Sequence, residues 1–295
     1  RGVYDYNTFT TDEAMLPTRG GDWYDGGFWQ NLYLHRWTSV DRSLYDTWSY
    51  LYKVIVLCNR SLARIGEHKV LLSEMQKAAY EAEVRAVRAM FYYYLMDMFG
   101  NVPLVVSEET PIENIKQSSR SKVFRFVFDE LQTVAPLLPN EHSNREGAYY
   151  GRITRPVAWF LMAKLALNAE IYADDDWTDG TKLNGRNIRF TVAGHQLNAW
   201  QTVECYADSI ASAGYSLEDN YAKNFSVHNE NSVENIFIIP MNKIVYANQF
   251  QYLFRSRHYR HGDMLGMGSE NGTSATVSTV ETYGYGTGNV DARYA

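Results

Sequence analysis

The stretch Ala79–Leu104, which reads AYEAEVRAVRAMFYYYLMDMFGNVPL, decides the fold class. Its alanines are strong helix formers, and its apolar residues recur at the three-to-four spacing of a helix. The expected buried face consists of Val84, Val87, Phe91 and Leu95. Gly100 then supplies a left-handed C-cap, and Pro103 prevents continuation. The stretch therefore predicts a long helix, and its polar start excludes a membrane span.

A second amphipathic helix precedes this one, from Asp46 to Ile65. Its apolar stripe consists of Trp48, Leu51, Tyr52, Ile55, Cys58, Leu62 and Ile65. Two long amphipathic helices that follow each other in sequence are expected to pack antiparallel.

The helical pattern continues along the middle of the chain. Helices are predicted over residues 41–66, 72–99, 120–137, 154–173 and 197–213. Thr154 is the expected N-cap of the fourth, with Pro156 in its first turn, and Gly214 ends the fifth. The spacing is compatible with degenerate tetratricopeptide-like pairs that stack around a shared core. The pattern predicts a mainly α fold with long irregular loops and a few short strands, but the spacing alone does not establish the repeat of helical pairs (an α-superhelix).

Other segments are more polar. Residues 1–40 and 240–295 are predicted as loops, residues 174–196 as a polar insertion, and Val233–Ile239 as a short buried strand. A long irregular segment in a compact protein is usually functional or disordered.

Composition narrows the class of partner. The formal net charge is −6, and no strongly basic stretch is present, which argues against nucleic acid and anionic membrane surfaces. The two cysteines, Cys58 and Cys205, give neither a disulfide framework nor a metal spacing. Cys58 lies on an apolar stripe, so a buried free thiol is predicted there.

Four segments resemble the SusD/RagB family. They are DEAMLPTRGGDWYDGG (12–27), WSYLYKVIVLCNRSLARI (48–65), AEVRAVRAMFYYYLMDMFGNVPL (82–104) and GRITRPVAWFLMAKLALNAEIY (151–172). The resemblance implies an α-helical fold on tetratricopeptide-like helix pairs, whose long loops form the ligand site. It also implies a nutrient-binding lipoprotein of the outer membrane in Bacteroidetes, acting with a TonB-dependent SusC-like transporter.

The resemblance also sets expectations for domain organisation. Members of the family are longer at both ends, so we expect a single SusD-like domain over residues 1–295 that is incomplete at both ends. Residues 41–213 would be its helical-repeat scaffold, and residues 1–40 and 214–295 its loop-rich ligand-site segments. No initiator Met, signal peptide or lipobox cysteine occurs near Arg1, so the lipid anchor is expected outside this sequence.

The first candidate site is the loop Arg19–Trp29, RGGDWYDGGFW. Its glycines allow sharp turns and a close approach of backbone to ligand. Its aromatic rings can stack on the apolar faces of pyranose rings, while side chains such as Asp22 hydrogen-bond hydroxyls. In the alternative interpretation, Trp23, Phe28 and Trp29 only pack the loop onto the helices.

The second candidate is the segment Asn242–Tyr259, NKIVYANQFQYLFRSRHY, where aromatic and polar residues alternate as in a strand. By resemblance, the ligand site is formed jointly by an early loop and a later one at about this position. A half-buried strand or loop is an equal alternative for each single residue. The predicted glycan-binding residues are Arg19, Asp22, Trp23, Tyr24, Trp29, Asn31, Tyr246, Gln251, Tyr252 and Tyr259.

We expect no cofactor and no catalytic residue. Asp174, Asp175, Asp176 and Asp179 offer oxygen ligands for a structural Ca²⁺, but the EF-hand spacing is absent, and a solvated acidic loop is favoured. His258 and His261 lack further ligands for zinc. No motif of a hydrolytic nucleophile or metalloprotease is present.

The sequence therefore predicts a non-catalytic glycan-binding protein, outward-facing and lipid-anchored at the outer membrane, which delivers an oligosaccharide or polysaccharide to the SusC-like transporter. Two other functions remain open. One is a helical-repeat scaffold that binds only proteins, and the other is a hydrolase, since carboxylates are plentiful.

Overall fold

The computed structural model describes residues 2–67, 72–241 and 255–294. The chain divides into two compact units. The terminal unit consists of residues 1–48 and 241–295, and the helical unit of residues 49–240. The predicted site residues Tyr246, Gln251 and Tyr252 lie outside the described residues.

Helices dominate the described residues. In chain order they are α1 (Val3–Phe9), α2 (Phe28–Tyr33), α3 (Arg42–Glu67), α4 (Glu74–Phe99), α5 (Arg120–Val134), α6 (Arg155–Leu167), α7 (Ala169–Tyr172), α8 (Ala199–Ser212), α9 (Tyr259–Leu265) and α10 (Val277–Thr282). The strands are β1 (Ala14–Met15), β2 (Val102–Pro103), β3 (Gln117–Ser118), β4 (Arg189–Val192), β5 (His195–Asn198) and β6 (Ser274–Ala275). They form three antiparallel pairs, β1–β6, β2–β3 and β4–β5.

Consecutive helix pairs build the helical unit. The rings of Tyr50 and Phe91 lie 6.1 Å apart, and Arg88 donates to Asn59 at 2.8 Å, so α3 and α4 run antiparallel. Helix α4 packs along α5, and α6 along α8. The mainly α fold on tetratricopeptide-like pairs is confirmed, and Cys58 is buried as a free thiol.

Helix α4 begins and ends as its sequence requires, but its buried face differs from the prediction. Ser73 and Gln76 form a reciprocal capping box, and Gly100 ends the helix at φ +68°. Val84, Val87 and Phe91 are only half-buried. The buried residues are Ala82, Ala86, Arg88, Ala89, Met90, Tyr92, Tyr93, Leu95 and Met96. Neighbours on both sides cover α4, and the small alanines allow their close approach, so burial extends beyond the apolar stripe.

A buried cluster of charged side chains links α3, α4 and α5. Arg85 and Arg88 on α4 both donate to Glu130 on α5, at 2.7 and 2.6 Å for the nearest atoms. Arg88 also donates to Asn59 on α3 and to the carbonyl of Val106. Burial opposes ionisation of Glu130, but the hydrogen bonds from the two arginines outweigh it and lower its pKa.

Two helix predictions need correction. The helix expected over residues 154–173 breaks at Asn168, whose side chain donates to the carbonyl of Lys164 and competes with the regular backbone pattern. Thr154 occupies the N-cap position of α6, but its buried hydroxyl makes no capping hydrogen bond.

The segment Val233–Ile239 is not the buried strand that its apolar run predicted. It is irregular, half-buried over residues 233–238, and Ile239 is exposed. No neighbouring strand pairs with it among the described residues. Its side chains instead border a cavity of the helical unit, where Ile236 and Phe237 find apolar contacts without a sheet.

The segments predicted as loops contain more structure than expected. Helices α1 and α2 lie within residues 1–40, α9 and α10 lie within residues 240–295, and the polar insertion carries the β4–β5 hairpin. These four helices have six or seven residues each, too short for a clear hydrophobic period. No helix in the described ranges is both long and apolar enough to cross a membrane.

Candidate functional site

The terminal unit joins an early and a late part of the sequence. Strand β1 pairs with β6, with Ala14 opposite Ala275 and Met15 opposite Ser274. The hydroxyl of Thr279, beyond β6, donates to the carbonyl of Glu13 at 2.9 Å. Residues 13–15 and residues 274–279 are thus in contact, and the ligand site formed jointly by an early and a late loop remains a prediction.

The first turn of the early loop is held from both sides. The backbones of Arg19 and Asp22 exchange two hydrogen bonds, at 3.0 and 2.9 Å. The guanidinium of Arg19 donates to the hydroxyl of Ser274 at 2.5 Å, and the hydroxyl of Tyr259 donates to the Asp22 carboxylate at 3.0 Å. The carboxylate raises the pKa of Tyr259. Three predicted site residues therefore lie together, although Tyr259 begins helix α9 and is not in the predicted strand.

Trp23 ties the early loop to residues 270–272. Its backbone has a φ of +63°, a conformation that non-glycine residues rarely adopt. Its indole donates to the carbonyl of Glu270 at 3.0 Å and lies against Gly272, where a Cβ would approach the ring to 2.8 Å. The tertiary contacts therefore fix this backbone conformation and leave the ring half-buried.

Trp29 has a structural role, and its predicted contact with ligand is wrong. Only 2% of it is exposed, because Phe9 packs edge-on against its ring at 5.3 Å. Its indole donates to the Asp25 carboxylate at 2.8 Å, and the Arg255 guanidinium lies 5.1 Å from the ring. Arg255 in turn donates to buried Asp5 at 2.8 Å. Trp29 thus belongs to the core of the terminal unit, as the packing interpretation predicted.

A polar cavity of about 560 Å³ lies beside this core. Asn31, predicted from the sequence, lines it together with Asp25 and Trp37, and Trp37 is 40% exposed. Its other lining residues are Tyr6, Gly26, Phe28, Leu32, Asp41, Arg42, Ser43 and Asp46. Tyr24 is not among the lining residues, but it belongs to the same loop and is 60% exposed. The accessible ring of Trp37 and several hydrogen-bonding groups therefore occur in one concave region.

Sequence reasoning missed Trp37 and the acidic residues after it. Trp37 lies in the polar run HRWTSVD, residues 35–41, where a ring has little core to join. The backbone of Thr38 donates to the Asp41 carboxylate at 2.5 Å, which closes a turn directly after the tryptophan. The criterion applied to the early loop, aromatic rings in polar loops, would have identified Trp37 as well.

The helical unit has a larger cavity of different character. It encloses about 890 Å³ and is lined mainly by apolar side chains of α4, α6, α8 and residues 215–237. The Lys164 ammonium lies 5.6 Å from the ring of Tyr93 and 5.7 Å from that of Phe160. Apolar surface makes up a larger share of this lining than of the polar cavity, so it suits an apolar surface better than a hydroxyl-rich ligand.

The acidic loop uses its carboxylates internally. Asp174 accepts from the backbone of Asp176 at 2.9 Å, and Asp179 accepts from that of Thr181 at 2.7 Å. Within the described ranges, no group of three or more His, Cys, Asp or Glu residues has an arrangement that could hold a metal ion.

Comparison with known proteins places this fold in a family. A SusD-like family model, described as starch-binding and associating with the outer membrane, matches residues 4–167, more than half of the chain. The chain therefore belongs to the SusD-like family.

Individual relatives are distant. A SusD-like protein of Bacteroides ovatus is 24% identical over 243 residues, which cover 80% of this chain and 40% of that protein. The starch-binding protein SusD of Bacteroides thetaiotaomicron is 26% identical over 175 residues, which cover 58% of this chain and 26% of that protein.

Solved structures show the same fold. Surface glycan-binding protein A of Bacteroides thetaiotaomicron superimposes with a TM-score of 0.70 at 19% identity, covering 96% of this chain and 55% of that one. This chain thus spans about half of that structure and 40% or less of the two curated relatives.

Proposed function

We propose that the protein binds an oligosaccharide or polysaccharide at the cell surface without cleaving it. The polar cavity of the terminal unit is the observation that carries this proposal, because it combines the accessible ring of Trp37 with carboxylate, amide and guanidinium groups. A sugar is complementary to such a cavity, because its rings have apolar faces and carry hydroxyls around their edges. The family description and the names of the similar proteins, which include starch and surface glycans, support the same ligand class.

Binding would depend on stacking and on hydroxyl recognition. Trp37 supplies the exposed ring of the cavity, and Tyr24 supplies an exposed ring of the early loop. Each is expected to contribute about 1 kcal/mol beyond its buried area, by analogy with aromatic pairs. Asn31, Asp25 and Asp41 supply hydrogen-bonding groups for hydroxyls. Such contacts correspond to dissociation constants from about micromolar to millimolar.

The proposal includes a location and a partner. The protein would be outward-facing and lipid-anchored at the outer membrane, and it would deliver the captured glycan to a TonB-dependent SusC-like transporter. The family description, which associates these proteins with the outer membrane, supports the location. Co-purification of the transporter with the tagged protein from solubilised outer membranes tests the partnership.

Affinity gel electrophoresis tests glycan capture. The chain is run through gels that contain soluble starch, mixed-linkage β-glucan or mannan. We expect retardation by at least one glycan and its loss in Trp37→Ala. Tyr45→Ala is the matched control, because Tyr45 is 67% exposed in the same unit but does not line the cavity. Equal retardation of the parent and Trp37→Ala would place binding elsewhere.

The apolar cavity of the helical unit favours a second candidate, a scaffold that binds only proteins. Phe160 is 39% exposed at that cavity, and an apolar surface of this kind suits a protein partner. Under this alternative, Phe160→Asp prevents co-purification of the transporter, while no glycan retards the parent chain. Retardation that Trp37→Ala abolishes would exclude it.

A further inference from the structure

Trp177 differs from the other tryptophans of the chain. It is 77% exposed, Trp37 is 40% exposed, and the other five are half-buried or buried. Exposed tryptophan of this degree is unusual because the indole is the largest apolar side chain. No ring or guanidinium packs on it within the described residues. Its flat face is therefore available to a ligand.

The loop that carries Trp177 is fixed to the start of helix α5. Asp175 accepts two hydrogen bonds from Ser121, from its backbone at 2.9 Å and from its hydroxyl at 2.6 Å. The guanidinium of Arg120 donates to the carbonyl of Asp174 at 2.6 Å. These contacts fix the residues just before Trp177 to the start of helix α5. Little conformational entropy of the loop therefore remains to be lost when a ligand binds.

The residues on both sides of the ring are held as well. The Asp176 carboxylate accepts from the backbone of Thr178 at 3.1 Å, which closes a turn around Trp177. Asp179 closes the next turn by accepting from the backbone of Thr181 at 2.7 Å. An exposed ring on a loop with this many internal hydrogen bonds is presented in a defined orientation.

The surroundings of the ring distinguish a sugar from a protein partner. Asp176, Thr178, Asp179 and Lys182, which lie close to Trp177 in sequence, are all exposed polar residues. A protein interface usually needs a contiguous apolar core, which a single ring among charged groups does not provide. A pyranose needs one flat apolar face with hydrogen-bonding groups around it, and this loop provides both.

We propose that Trp177 is a second carbohydrate contact, on the helical unit, which stacks on a pyranose ring of the same class of polysaccharide that the terminal unit binds. This inference rests on the proposed function. A second contact raises the overall affinity for a polymer, which offers many rings, more than for a short oligosaccharide that fills one site.

Two measurements on the same variants test this inference. The first is retardation in gels containing whichever of soluble starch, mixed-linkage β-glucan or mannan retards the parent chain. The second is calorimetric titration with a trisaccharide of that glycan. We expect Trp177→Ala to weaken polymer binding by about three- to tenfold and to leave trisaccharide affinity unchanged. Trp177→Phe should retain most of the polymer binding, since it keeps a flat ring.

Phe225→Ala is the matched control, because Phe225 is a 70% exposed ring of the same unit outside this loop. It should bind the polymer as the parent does. Equal retardation of Trp177→Ala and the parent would overturn the inference and leave the proposed function intact. A parent chain that none of the glycans retards would contradict the proposed function and this inference together.

Discussion

The helical unit and the terminal unit are stabilised by different kinds of contact. In the helical unit, long helices pack on neighbours in sequence, and a buried cluster around Glu130 joins α4 and α5. In the terminal unit the elements are short, and contacts join distant residues: Trp23 with Glu270, Asp22 with Tyr259. The first unit presents a mainly apolar cavity and the second a polar one.

This difference in contacts suggests that the packed helices provide stability and the loops provide ligand recognition. Packed helix pairs can carry the free energy of folding, so loops elsewhere can keep rings and polar groups accessible. In the terminal unit, Trp23 at φ +63° shows that tertiary contacts impose the loop conformation against local preference. Substitutions in the packed helices of the helical unit should therefore act on stability, and substitutions at the polar cavity on binding.

The largest effect is expected from Glu130→Ala. It leaves the guanidinium of Arg88, only 7% exposed, without its carboxylate partner. Breaking a buried ion pair from one side costs about 3–5 kcal/mol of unfolding free energy, which urea denaturation followed by far-UV circular dichroism would measure. Glu81→Ala is the control, because the Lys77–Glu81 pair at 3.9 Å is more exposed and should cost less than about 1 kcal/mol. Similar losses in both variants would contradict the assigned role of Glu130.

The same cluster predicts a dependence on pH. The folded state lowers the pKa of Glu130 below its ordinary value of 4.5. The contribution of Glu130 to the free energy of unfolding is therefore present above pH 4.5 and is lost as the pH falls through the pKa of Glu130 in the folded state. Urea denaturation between about pH 6 and pH 3 should show a steeper loss of stability in the parent than in Glu130→Ala. Parallel pH profiles would refute this assignment.

Asp5→Asn should have the next largest effect, in the terminal unit. It removes the charge that faces Arg255 at 2.8 Å, where both side chains are almost fully buried. We expect the terminal unit to lose about 2–3 kcal/mol of unfolding free energy. Glycan retardation should be lost as well, while the helical signal in far-UV circular dichroism is largely kept. Asp291→Asn, which alters an exposed pair with Arg293, should change neither. Full unfolding of the helices in Asp5→Asn would argue against two distinct units.

Trp37→Ala should affect binding alone. It removes an exposed ring from the polar cavity, so affinity for the retarding glycan should fall by about tenfold with unfolding free energy unchanged within about 0.5 kcal/mol. Calorimetric titration and urea denaturation of the same preparation would check both. A large loss of stability would show that the ring mainly supports the fold.

Tyr259→Phe should have the smallest effect. It removes one exposed hydrogen bond to Asp22, so affinity should fall by less than about tenfold. The Asp22 carboxylate raises the pKa of Tyr259. The hydrogen bond therefore contributes fully at a pH below the ordinary pKa of tyrosine, and its contribution is lost as the pH rises through the raised pKa of the folded state. Binding of the parent should thus be constant from pH 7 to about 10 and then approach that of the variant. An earlier decline would assign the effect to another group.

The sequence predicted the helical unit better than the terminal unit. Periodicity and helix-ending residues such as Gly100 act locally, so α3, α4, α5 and α8 lie close to their predicted bounds. The break at Asn168 was missed because its side-chain hydrogen bond competes with helical pairing at a single residue.

The candidate site was only partly predictable. Composition identified the early loop, and the structure brings Arg19, Asp22 and Tyr259 together there. Burial of Trp29 depends on Phe9 and Arg255, which pack against it only after folding, so its sequence pattern could not distinguish a core ring from an exposed one.

Hydrogen–deuterium exchange with and without a trisaccharide of the retarding glycan tests the central claim most directly, namely that recognition belongs to the terminal unit. We predict slower amide exchange in residues 19–41 and 259–275 on binding, with α4, α6 and α8 unchanged. Protection centred on α6 and α8 around the apolar cavity, with no change in the early loop, would contradict the account.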